Sequence, residues 1–93
     1  MQLLPDKLRK NHFDYTKIHT GGRSFVFCQC YEGNIIGYEV FRLKINKACV
    51  FHGVNLPERQ AFPGNEDFGK WAWSYREYKD AMKKFNELEN EQL

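Results

Sequence analysis

The sequence has no uninterrupted apolar run of the roughly 18 residues that a membrane-spanning helix needs. Its first residues, Met1-Gln-Leu-Leu-Pro-Asp-Lys-Leu8, lack the apolar stretch of a signal peptide, so the expected location is cytoplasmic. There is no phosphate-cradling glycine loop, no nucleophile elbow and no H-E-x-x-H helix, and the enzyme classes built on those motifs are excluded. Charge of one sign is also scarce: 14 Lys and Arg against 12 Asp and Glu leave a net +2, too little to draw the chain onto nucleic acid or anionic lipid by itself. The first 47 residues are mildly basic and the remainder mildly acidic. Cysteine is limited to three, an odd number that fits free thiols better than a disulfide framework.

What the sequence does have is rings. Eight Phe, five Tyr and two Trp make 16% of a 93-residue chain, which argues for a packed core and against disorder. The length fits one domain, 1–93. Residues 1–11 are polar, with Pro5 suited to the first turn of a short helix. Residues 12–46 read as a β-meander: a first strand with Phe13, Tyr15 and Ile18, a Gly21-Gly22 turn, a second strand from Arg23 to Glu32, a Gly33-Asn34 turn and a third strand from Ile35 to Asn46. That turn would set Tyr31 opposite Ile36 and Phe27 opposite Val40. Residues 47–67, with Gly53, Pro57, Pro63 and Gly64, read as a long loop, although 47–51 could prolong the third strand or form another short one.

Two readings meet at residues 68–90. Alternation of Gly69, Trp71 and Trp73 gives a strand over 68–73, and Ser74-Tyr-Arg-Glu77 has capping-box spacing for a helix over 75–90 with Tyr75, Tyr78, Ala81, Met82, Phe85 and Leu88 on one face. A single longer helix capped at Asn65 would place Gly69 inside it, at a cost of about 1 kcal/mol relative to Ala. Strand followed by helix is therefore preferred. Glu87, Glu89 and Glu91 oppose the negative helix end and predict a frayed last turn. The expected fold is α+β, a three- to four-stranded antiparallel β-meander packed by a C-terminal amphipathic helix.

Gly37-Tyr38-Glu39-Val40-Phe41, then Phe68-Gly69-Lys70-Trp71-Ala72-Trp73, then Tyr78-Lys79-Asp80-Ala81 with Phe85 resemble a pattern in small uncharacterised proteins of phages and mobile elements of Bacteroidetes-type bacteria. The resemblance spans most of 12–88 and implies an accessory protein. It brings no catalytic residues.

Cys28, Cys30, Cys49 and His52 form two close pairs of zinc-competent ligands, C-x-C and C-x2-H. A C-x-C within a strand differs from the usual knuckle in a turn, and small buried thiols are the simpler account. A nucleophilic cysteine needs a cationic or imidazole partner, and no local pattern pairs one with His12, His19 or His52. No catalytic residue and no cofactor is expected.

In the expected register Phe25, Phe27, Tyr31, Tyr38 and Val40 share one sheet face, while Val26, Cys28, Cys30 and Phe41 share the other. One helix covers one face. The expected function is a non-enzymatic binding module acting through protein contacts or self-association on the uncovered face. The alternative is nucleic-acid binding, with Phe25, Phe27, Tyr31 and Tyr38 as a stacking platform and Lys17, Arg23, Arg42 and Lys44 tracking phosphates. A small zinc-binding domain is the third reading, and no membrane partner is expected.

Overall fold

Three two-residue turns, each with both central residues at positive φ, set the strand pairing: Asn11 and His12 (53° and 71°), Glu32 and Gly33 (49° and 81°), and His52 and Gly53 (49° and 75°). Positive φ at both positions matches the right-handed twist of the flanking strands, so each turn closes a tight antiparallel hairpin. The computed structural model describes residues 1–91; Gln92 and Leu93, the end of the expected domain, lie outside the described residues.

The strands are β1 (Lys7–Lys10), β2 (Phe13–Thr20), β3 (Ser24–Tyr31), β4 (Asn34–Arg42), β5 (Ile45–Asn46), β6 (Cys49–Phe51), β7 (Val54–Leu56), β8 (Arg59–Gln60) and β9 (Ala72–Tyr75), followed by the helix α1 (Tyr78–Glu89). The main sheet is antiparallel, in the order β1-β2-β3-β4-β9. The α+β class, the meander and the C-terminal helix are as the sequence predicts. The sheet has one strand more, because the segment expected to begin a short helix at Pro5 instead folds back through Asn11 and His12 and pairs Lys7 with Thr16.

Several boundaries differ for identifiable reasons. The second turn is Glu32-Gly33 rather than Gly33-Asn34, since Tyr31 pairs with Asn34. A bulge then leaves Ile36 without a partner between the Cys30–Ile35 and Gln29–Gly37 pairs. Beyond it, Phe27 faces Glu39 and Phe25 faces Phe41, one residue off the expected register. Because side chains alternate with period two, that shift moves Phe41 onto the face of Phe25 and Phe27 and sends Tyr38 and Val40 to the other. The third strand stops at Arg42; its expected tail, Ile45–Asn46, is β5 and pairs with β8 from within the expected 47–67 loop, which also holds the β6–β7 hairpin. The last strand is Ala72–Tyr75 rather than 68–73. Gly69, at φ 93°, turns the chain there and donates its N–H to the Ala72 carbonyl at 2.8 Å. Pairing of Tyr75 with Tyr38 holds Tyr75 in the sheet, so α1 starts at Tyr78 with Glu77 as N-cap and the Ser74/Glu77 capping box does not form.

Both faces of the sheet are covered. On one, α1 lays Ala81 and Leu88 onto Val26 and Val40, flanked by Ile18, Trp73 and Phe85. On the other, Phe25, Phe27, Phe41 and Tyr15 form an aromatic layer closed by Leu4 and by Phe62. Phe62 stands edge-on to Tyr15, Phe27 and Phe41, with ring centroids 5.0, 5.5 and 5.3 Å away. At such distances edge-to-face rings add about 0.5–1.5 kcal/mol per pair beyond the burial itself. The uncovered sheet face expected from counting helices is thus absent here: a segment without regular structure takes the place of a second helix.

Candidate functional site

The residues expected to form a stacking platform are split between core and surface. Phe25 and Phe27 are 3% and 0% exposed beneath Phe62 and Leu4. Tyr38 lies on the opposite, helix-side face against Tyr78, and Tyr31 is exposed near the β3–β4 turn, tilted against Phe13. No common plane of rings results. The reason is the bulge at Ile36, which a two-residue repeat in the sequence does not announce.

The expected cations are engaged within the chain. Lys17 Nζ donates to the Leu4 carbonyl at 2.9 Å, tying down the N-terminal segment. Lys44 faces Asp67 at 3.5 Å, and the Arg42 guanidinium grips the Glu91 carboxylate with both terminal nitrogens, one at 2.7 Å. The Arg23 guanidinium donates to the Glu91 carbonyl, and the Arg23 backbone N–H donates to Glu89 at 2.9 Å. Glu89 also accepts from the Gly22 N–H at 2.7 Å and the Ser24 hydroxyl at 2.6 Å. Burial works against the Glu89 charge, yet donation from Ser24, Arg23 and Gly22 outweighs it and holds the carboxyl below its ordinary range. Of the three acids that oppose the helix dipole, Glu89 is clasped by the β2–β3 turn and Glu91 by Arg42, while Glu87 faces Lys84 at 3.7 Å.

The four candidate zinc ligands do not converge. Cys28 is buried and Cys30 half-buried on β3, with their sulfurs 3.4 Å apart; Cys49 is exposed on β6 and His52 sits in the β6–β7 turn. Among the described residues no three His, Cys, Asp or Glu side chains gather in a way that could hold a metal ion. The zinc reading therefore loses its second pair.

Glu39 went unnoticed in the sequence. It is 6% exposed, faces Phe27 across the strands, and its Oε2 has no hydrogen-bond partner among the described residues. Burial raises its pKa to about 6, against the opposing pull of Lys10 and of a hydrogen bond from Tyr15. A cavity of about 40 Å³ beside it is walled by Lys10, Asn11, Tyr15, Phe62 and Phe68. Such a volume admits water. Among the described residues the cavity's walls carry no Ser, Cys or His side chain. A signal did exist: Glu39 is the only acid between Gly33 and Pro57, set inside an otherwise apolar strand.

The largest departure from a closed surface is the hairpin β6–β7. Its strands pair Cys49 with Leu56, Val50 with Asn55 and Phe51 with Val54, and among the described residues it forms no substantial interface with any other element. Val50, Phe51 and Val54 are 70%, 62% and 58% exposed. From Ala48 to Pro57 there is no Asp, Glu, Lys or Arg. Elsewhere the exposed sheet edge β1 carries Lys7, Arg9 and Lys10, which discourage pairing with another strand. No helix among the described residues is long and apolar enough to cross a membrane. The chain matches no protein-family model, no curated protein and no solved structure.

Proposed function

We propose that this chain is a non-enzymatic accessory module that associates with a second copy of itself through the β6–β7 hairpin. One observation carries the reading: an uncharged two-stranded arm with Val50, Phe51 and Val54 in solvent and no substantial interface with another element among the described residues. An isolated two-stranded hairpin is at best marginally stable in water. Its unpaired backbone edge and apolar side chains are satisfied together when another strand pair lies against it. A second arm offers the same groups about a two-fold axis, and the absence of charge removes any self-repulsion. The lack of Lys or Arg on the arm favours a protein contact over a phosphate backbone, which is bound chiefly through cations.

Sedimentation velocity across a concentration series tests the proposal. The wild type is expected to dimerise, and Phe51→Glu to remain monomeric with an unchanged far-UV circular dichroism spectrum. A wild type that stays monomeric at the highest concentration reached overturns the reading, as does a dimer that survives Phe51→Glu. A monomer retained on a mixed oligonucleotide, and released steeply by salt, replaces it with the nucleic-acid alternative.

A further inference from the structure

The Cys28–Cys30 pair is not absorbed by the hairpin or by either core. Residues two apart on a strand project to the same side, and here their sulfurs meet at 3.4 Å as free thiols. Cys28 lies under the sheet surface at 6% exposure, flanked by Thr16 and Tyr38 in the neighbouring strands. Cys30 borders an open pocket of about 430 Å³ whose walls include Lys7, Asp14, Thr16 and Gly33. Across the strands Cys30 faces Asp14, a carboxylate already drawn toward Arg9 at 3.5 Å. The pair thus has an inner sulfur, an outer sulfur and a path from solvent to the outer one.

We infer that Cys28 and Cys30 form a two-sulfur site for a soft, thiophilic metal ion of low coordination number, with Cu(I) as the fitting case. Thiolate is the ligand type that selects Cu(I). Zinc in structural sites takes four ligands, and no third ligand gathers here among the described residues. Two sulfurs on one ion at about 2.3 Å stand about 3.8 Å apart at a tetrahedral angle and about 4.6 Å apart if collinear. Rotation of the half-buried Cys30 into the pocket supplies that opening while Cys28 stays in place. Binding converts two thiols and one Cu(I) into an anionic bis-thiolate complex and releases two protons to buffer, with no change of oxidation state. The Lys7 side chain in the pocket wall offers a countercharge. Because two protons leave on binding, affinity should climb with pH.

An anaerobic Cu(I) titration of the full chain against a chromophoric chelator tests this. One equivalent per chain is expected to be withdrawn from the chelator, more tightly at pH 8 than at pH 6. Cys30→Ser, at the half-buried position, and Cys28→Ser are each expected to lose that equivalent, while Cys49→Ser keeps it. Should Cys28→Ser fail to fold, Cu(I) protection of Cys28 and Cys30 from alkylation, read by peptide mass spectrometry in the wild type, decides. Stoichiometric binding that survives Cys30→Ser, protection confined to Cys49, or no withdrawal from the chelator overturns the inference.

Discussion

Replacing Glu39 by Gln should act more favourably on stability at pH 8 than at pH 4. The carboxyl sits in the aromatic layer with one oxygen unpartnered, and its pKa rises from an ordinary 4.5 to about 6. A group whose folded pKa is raised favours the fold in its protonated form. Its contribution is therefore fully present below 4.5 and is lost as pH rises through about 6. At about 1.36 kcal/mol per pKa unit, ionisation costs the fold about 2 kcal/mol above that window. Gln keeps the shape and never ionises. It also leaves an amide to be hydrogen-bonded, so the informative quantity is the change between pH values, in which that constant offset cancels. Urea unfolding of both proteins from pH 4 to pH 8 should show the advantage of Glu39→Gln growing by about 2 kcal/mol. In a domain of this size that corresponds to a gain in Tm of about 10 °C. A difference between the two proteins that is flat across this range, or that shrinks toward pH 8, would refute the account of Glu39 as a desolvated acid.

Two further outcomes test how the sheet is sealed. Phe62→Ala removes the ring that stands over Tyr15, Phe27 and Phe41 and should cost about 3 kcal/mol in urea unfolding, with new binding of a hydrophobic dye. A cost within about 0.5 kcal/mol, as for an ordinary surface substitution, would show that the segment is no lid. At the other end, a methyl on Gly21 would lie 2.2 Å from the Glu89 carboxyl carbon, so Gly21→Ala must dislodge the carboxylate that accepts from Gly22, Arg23 and Ser24. Gly21→Ala and Glu89→Ala should each cost about 2 kcal/mol and the double variant no more than either; additive costs would break the link. Because the folded Glu89 pKa is lowered, the Glu89→Ala penalty should be present near neutrality and fade as pH falls through that lowered value.

The meander and the C-terminal helix were readable because they rest on local periodicity. Ala81 and Leu88 sit at positions that a 3.6-residue repeat marks as inward. The register was not readable, because one unpaired residue at Ile36 and a turn moved back by one position reverse every side chain beyond them. That slip misplaced Tyr38 and made Phe25 and Phe27 look available. Of the β6–β7 hairpin only a short strand within 47–51 was legible; its turn depends on His52 at positive φ, which few non-glycine residues adopt. Glu39 was legible as an acid within an apolar strand, but its burial required knowing that Phe62 lies above it.

The sequence by itself determined an aromatic-rich α+β domain, its antiparallel order and a helix at its end, since these follow from local spacing and from apolar residues that must leave water. Only the tertiary structure decided which rings became core, which cations were consumed by Glu91 and Asp67, and which surface stayed open. Those outcomes depend on contacts between residues far apart in the chain, such as Phe62 with Tyr15 and Glu89 with Ser24, and such pairings leave no mark in local composition.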